Sequence, residues 1–302
     1  MKRIRLISLL LALLAVLCLT ACSSKDVPAS QTEDPSEAVL PTEAPMEMGE
    51  HGELIFDDSR NITLFENESC SFTLNKAEID SLSDYNWDVS LMNRAGAVQI
   101  FTIDEVYVND IAFDPGWACK VEGSKATDSH IIWTAPEMEA RGITQITRVD
   151  FRLRIYPEGG AGSPSADQFI TVYPSGRSAY IPQTRNPQTT DVVLLDNESY
   201  TLIATGFEPD NRWGYAVNLY LANKTGAPVE FSAESVAVSG DACSPQWACT
   251  LGAGKQGSSQ MVWLDASLEE AGIEAVSGIT FDLVVRDLSG AELFRDSYVL
   301  VP

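Results

Sequence analysis

The strongest constraint on what this chain can fold into is that much of it is written twice, 130 residues apart and essentially without gaps. Glu66-Asn67-Glu68-Ser69 returns as Asp196-Asn197-Glu198-Ser199, Trp117-Ala118-Cys119 as Trp247-Ala248-Cys249, and Trp133 as Trp263. Glu139, Gly142 and Ile143 return as Glu269, Gly272 and Ile273, and Phe151 and Leu153 as Phe281 and Leu283. Between residues 66 and 153 about 25 positions are identical, more than unrelated segments reach without gaps; solenoid repeats run from about 20 to 50 residues, so a period this long is a duplicated domain. The expected units are 54–173 and 190–302, joined by a linker over 174–189 that contains Pro174, Gly176, Pro182 and Pro187.

Inside each unit the apolar pattern has the period of strands. Trp87-Asp88-Val89-Ser90-Leu91 alternates, as do Val217-Asn218-Leu219-Tyr220-Leu221, Phe151-Arg152-Leu153-Arg154-Ile155 and Phe281-Asp282-Leu283-Val284-Val285. Asn93-Arg94-Ala95-Gly96 and Asn223-Lys224-Thr225-Gly226 follow with turn chemistry. One short helix is expected per unit, over 136–141 and 267–271, the second with Ser267 as N-cap and Gly272 as terminator. Seven or so short strands per unit fit an all-β chain of two tandem immunoglobulin-like antiparallel β-sandwich domains. The Cys…Trp…Cys core of antibody domains is missing, so the expectation concerns architecture.

Asp196-Asn197-Glu198, Trp213-Gly214-Tyr215, Asn223-Lys224-Thr225, Ala253-Gly254-Lys255 and Leu268-Glu269-Glu270-Ala271-Gly272-Ile273 together carry a resemblance. Each unit resembles the tandem immunoglobulin-like repeats of cell-envelope lipoproteins from clostridia and related Firmicutes. The first unit keeps the pattern more loosely, with Ser83 and Asp84 in place of the Trp-Gly pair and Gly123-Ser124-Lys125 for Ala-Gly-Lys. The resemblance spans nearly all of 60–302 and implies a sandwich fold and a surface location; it implies no activity.

The N-terminus supplies an address. Lys2, Arg3 and Arg5 precede an apolar run from Leu6 to Cys18, the length of a signal-peptide core and short for a bilayer of about 30 Å. The run ends in Leu19-Thr20-Ala21-Cys22, which resembles the bacterial lipobox. Residues 1–21 are expected to be a lipoprotein signal peptide, with Cys22 acylated as the new N-terminus and the chain held at the outer face of the cell membrane by its lipid. Residues 22–53, rich in Ser, Pro, Glu and Thr, bury too little surface to offset their conformational entropy and are expected to be a disordered tether of roughly 30 Å.

The net charge of −23 repels polyanions, which argues against nucleic-acid binding. Cys70, Cys119, Cys243 and Cys249 remain beyond the leader and the lipidated residue, an even number for a disulfide-permissive compartment. Disulfides Cys70–Cys119 and Cys243–Cys249 would each stay within one repeat; buried thiols are the alternative. The spacings are not those of zinc ligands, and the two histidines, His51 and His130, are too few for a metal site or a catalytic triad. Phosphate-cradling glycine loops and G-x-S-x-G elbows are absent, so no cofactor and no catalytic residue is expected. Asp104-Glu105 with Asp110 and Asp114, or Asp57-Asp58, are acidic clusters best read as solvated faces, with calcium as the sharper alternative. The tryptophans shared by both units read as core, whereas Trp87 and Trp213 occur once each and are the better candidates for exposed recognition, although packing is the favoured reading even for them.

The expected function is that of a non-catalytic, lipid-anchored extracytoplasmic protein presenting sandwich loops or edges to a protein or glycan, or scaffolding the envelope. A solute-binding lipoprotein with two α/β lobes, a loop-based protease inhibitor and a carboxylate-dependent hydrolase are the alternatives.

Overall fold

The computed structural model describes residues 61–159 and 162–302, together with the strand pairing of Leu54–Ile55. The leader, Cys22, the tether 22–53, His51 and Asp57-Asp58 lie outside the described residues. The chain forms two compact units, one with residues up to Val106 and Asp114–Tyr180, the other with Tyr107–Phe113 and Ile181–Pro302. Among the described residues no helix is long and apolar enough to cross a membrane.

The first unit contains β1 (Leu54–Ile55), β2 (Ile62–Glu66), β3 (Cys70–Ile79), β4 (Tyr85–Asn93) and β5 (Gln99–Val108). The short β6 (Ile111–Ala112) falls in the segment assigned to the second unit. Then come β7 (Ala118–Val121), β8 (Lys125–Trp133), the helix α1 (Ala135–Ala140), β9 (Val149–Pro157) and β10 (Ala166–Tyr173). One sheet runs β2-β3-β4-β8; the other runs β1-β10-β9-β5, with β7 also paired to β5. β2 with β3, β3 with β4, β4 with β8, β9 with β10 and β5 with β7 pair antiparallel, and β1 pairs parallel with β10. Alternation is the cause of this layering: in β4, Trp87, Val89 and Leu91 are buried while Asp88 and Ser90 between them are not. Trp87 and Phe72 of one sheet meet Phe151 of the other edge-on, with ring centroids 6.1 and 6.2 Å apart.

The second unit repeats the plan: β11 (Val192–Asp196), β12 (Tyr200–Asn211), β13 (Gly214–Asn223), β14 (Val229–Val238), β15 (Asp241–Ala242) and β16 (Ala248–Leu251). β17 (Gln256–Leu264), α2 (Asp265–Glu270), β18 (Ile279–Asp287) and β19 (Glu292–Leu300) complete it. Its sheets are β11-β12-β13-β17 and β15-β14-β18-β19, with β16 on β14. Leu202, Leu219 and Trp263 from the first share one core with Phe231, Phe281 and Leu283 from the second. β6 adds a parallel pairing, Gln256 with Ile111, at the edge of β17. There Gly257 is required, because a Cβ would stand 2.7 Å from that of Ala112. The buried Lys255 Nζ reaches Asp110 Oδ1 at 2.5 Å in the same segment.

The chain is therefore all-β, built of antiparallel sandwiches, and the frame recurs even in its irregularities. Glu105 and Ser235, 130 residues apart, both break their strands with positive φ, 48° and 51°. Among the described residues each unit holds one six-residue α-helix beside its sheets, in place of the alternating β/α lobes that the solute-binding alternative calls for. α2 starts two residues before Ser267, with Leu264 as N-cap, so Ser267 lies inside the helix; Gly272 (φ 73°) does end it, with Ile273 N–H donating to Leu268 O at 2.9 Å.

The turns are held by two buried asparagines in equivalent places. Asn93 Nδ2 donates to Ala97 O (2.8 Å), Val121 O (3.0 Å) and Glu122 O (3.2 Å), and its Oδ1 accepts from Ala95 N–H. Asn223 does the same with Ala227 O, Leu251 O, Gly252 O and Thr225 N–H. Nearby, Asn67 and Asn197 each close a turn with their Oδ1, and Arg94 and Lys224 bind the carbonyls of Asn67 and Asn197 together with the carboxylates of Glu66 and Asp196. The repeated acid-Asn-Glu-Ser motif is thus turn architecture. Replacing Asn93 or Asn223 with Ala strands several buried carbonyls and is expected to cost the affected unit about 3 kcal/mol, read as a lower denaturation midpoint at unchanged slope; a loss below about 0.5 kcal/mol contradicts the assignment.

Candidate functional site: a groove repeated at the end of each unit

The loops at one end of each unit surround a groove, and its walls are the same positions in both copies. In the first unit Ala77 and Ile79 of β3, Tyr85 of β4, Met138 of α1, and Ile146 and Pro174 line a cavity of about 260 Å³. In the second, Phe207 and Pro209 of β12, Tyr215 of β13, Leu268 of α2, and Val276 and Pro302 line one of about 1040 Å³. Pro174 and Pro302 correspond because Val172 and Leu300 occupy the same register on β9 and β18. Among the walls Pro209, Ala275 and Val276 are smaller than Ile79, Gln145 and Ile146 of the first unit, while Phe207 is larger than Ala77.

The floor of the second groove is apolar: Leu268, Ile273 and the Tyr215 ring are buried, with Phe207 and Val276 half-buried. The Tyr215 hydroxyl is buried without a hydrogen-bond partner, and this burial pushes its pKa up. Four exposed carboxylates, Asp210, Asp265, Glu269 and Glu274, line the groove, and none makes an ion pair among the described residues. By contrast Glu208, one residue from Phe207, is held below the usual carboxylate range by hydrogen bonds from the amides of Asn218, Asn211 and Gln260.

Trp213 stands beside this groove, half exposed, with the Arg212 guanidinium 4.8 Å from its ring centroid. Its place follows from how the helix start is satisfied. In the first unit Asp84 Oδ1 accepts from Ala135 N–H at 2.7 Å. In the second, Gly214 replaces that aspartate, and the Trp213 main-chain carbonyl accepts from Asp265 N–H at 3.2 Å. Gly214 (φ 136°) admits no side chain, since a Cβ would lie 2.2 Å from Trp263 O. The Trp-Gly pair is one structural solution, and it leaves the indole outward.

Trp87 is different. It has no exposed surface and packs on Trp133 at 5.0 Å, so in the first unit this ring fills core volume, as the packing reading has it, and its candidacy as an exposed recognition residue is corrected. Trp117 and Trp247 each donate from Nε1 to a serine hydroxyl, Ser129 and Ser259.

Neither expected disulfide forms: Cys70, Cys119, Cys243 and Cys249 are all thiols. Cys70 Sγ lies 3.3 Å from Asn67 Oδ1, Cys119 Sγ 3.9 Å from Lys120 O and Cys243 Sγ 3.7 Å from Ser267 O. Burial pushes Cys70, Cys243 and Cys249 to higher pKa, the opposite of an activated nucleophile. Among the described acidic candidates, Asp104 and Glu105 are bound by Arg154 at 2.9 Å each, Asp110 by Lys255, and Asp114 Oδ1 accepts from Gly116 N–H. No group of three or more His, Cys, Asp or Glu side chains suited to a metal is present among the described residues. His130 lies exposed within β8, its Nδ1 2.8 Å from Asp88 Oδ1.

No family model matches the chain, and no curated protein matches it. Among solved structures it is similar to the YadV chaperone, at 11% identity over 71% of this chain and 92% of that one, with a TM-score of 0.23. It is also similar to the Salmonella enterica SafA pilin–SafB chaperone complex (12%, 71% and 89%, TM-score 0.21). A third likeness is to the N-terminal periplasmic domain of ScsB from Proteus mirabilis (10%, 80% and 97%, TM-score 0.24). At these scores the likenesses carry no statement about role or partner. The fold class rests on the chain's own strand pairing.

The thiol assignment is open to direct count. Labelling the unreduced, denatured chain with a maleimide is expected to modify Cys70, Cys119, Cys243 and Cys249 alike, whereas the native chain leaves the buried Cys70, Cys119 and Cys243 unlabelled. Labelling that appears only after reduction contradicts it.

Proposed function

We propose that this chain is an extracytoplasmic lipoprotein, acylated at Cys22, whose β-sandwich units bind a protein or glycan partner without catalysing a reaction. The observation that carries the binding reading is the groove made twice on one frame, yet widened in the second copy, where Asp265 and Glu274 replace Ala135 and Thr144 beside the shared acids Asp210 and Glu269. The fold does not demand those changes, because the first unit folds the same elements without them. Support for a non-catalytic role comes from what the reactive side chains do: the thiols are buried toward higher pKa, His130 is exposed on a strand face, and Arg154 and Lys255 occupy the clustered acids. The address rests on the sequence of residues 1–22, the charged start, apolar run and Leu-Thr-Ala-Cys.

Growth with an alkyne fatty acid, followed by fractionation, tests the anchor. The natural chain is expected to carry the label and sediment with membranes, and Cys22→Ser to lose both. Label retained by Cys22→Ser, or an unlabelled soluble natural chain, contradicts the proposal.

A further inference from the structure

The four carboxylates of the second groove have a chemical meaning that deepens the proposed binding role and rests on it. We propose that this groove takes a cationic peptide segment of a partner protein. A large apolar side chain of that segment would settle on the floor formed by Phe207, Leu268, Ile273 and Val276. Flanking lysine or arginine side chains would meet Asp210, Asp265, Glu269 and Glu274.

Three observations select this occupant. First, the carboxylates are exposed and without cationic partners among the described residues, so their field is available to a ligand. Second, half of the charge is an addition to the frame: Asp210 and Glu269 have counterparts in Asp80 and Glu139, but Asp265 stands where the first unit has Ala135, and Glu274 where it has Thr144. A helix start favours an acid at Asp265, but Glu274 lies beyond α2 and gains nothing from it. Third, about 1040 Å³ is at the upper end of small-molecule pockets and the groove is open, which suits a stretch of several residues. An anionic envelope polymer would be repelled, and a neutral sugar could donate hydroxyl hydrogen bonds to the carboxylates but would leave their net charge uncompensated.

The test uses the intact chain in detergent and a short fluorescent peptide with leucine and phenylalanine flanked by lysines, followed by anisotropy. Its controls carry glutamate for lysine, or serine for the apolar residues. The lysine–apolar peptide is expected to bind and both controls to fail, with affinity falling as salt rises. Asp265→Ala with Glu274→Thr installs the residues that the first unit already accommodates, so folding is retained, and binding is expected to weaken about tenfold or more. Equal binding of the lysine and glutamate peptides, or no effect of that pair of substitutions, overturns the peptide proposal. Binding of neutral oligosaccharides that is lost with Leu268→Ala, while the peptide stays unbound, overturns it too but leaves the groove as a binding site. Failure of both ligand classes overturns the groove reading as well.

Discussion

The architecture depends on one buried amide, used twice. A sandwich brings strand ends from two sheets into a dry corner, where the turn carbonyls lose water and need donors. Asn93 and Asn223 supply them, each Nδ2 facing three carbonyls from two different turns while Oδ1 accepts a fourth group's N–H. No apolar residue can do this, and a water would leave the corner less defined. The cationic residue that follows, Arg94 or Lys224, then reaches the neighbouring Asx turn. Most of what repeats outside the cores belongs to this pair of turns.

Conservation between the copies therefore marks the frame, and divergence marks where the copies are at liberty to differ. Core volume shows the first kind of difference. The first unit places a small Cys70 and a large Trp87 in its core; the second has Tyr200, packed on Phe231 and Phe294, and the small Val217. Bulk has moved between positions while both cores stay filled. The groove shows the second kind: Gln145 gives way to Ala275, Ala77 to Phe207, and Ala135 and Thr144 to the acids Asp265 and Glu274, unpaired among the described residues, and the proposed binding role rests on these changes.

The repeat, the strand periodicity and the terminating Gly272 were legible in the sequence because they depend on local spacing. Trp87 was not, since a tryptophan without a counterpart looks free to be exposed until its neighbours Trp133 and Phe151 are placed around it. The cysteines misled because an even count says nothing of which thiols face each other. The groove was hidden for a related reason: its walls come from five separated segments and meet only once both sheets and the helix are docked. Its signal was nevertheless available in the alignment of the two copies, in Ala135 against Asp265 and Thr144 against Glu274.

Hydrogen–deuterium exchange across the intact chain, with and without the lysine–apolar peptide, tests the central claim that the second copy has become the binding copy. Protection is predicted at 207–215 and 265–276, with the equivalent segments 77–85 and 135–146 unchanged. Equal protection of both copies, or protection confined to the outer strand β19, would contradict it.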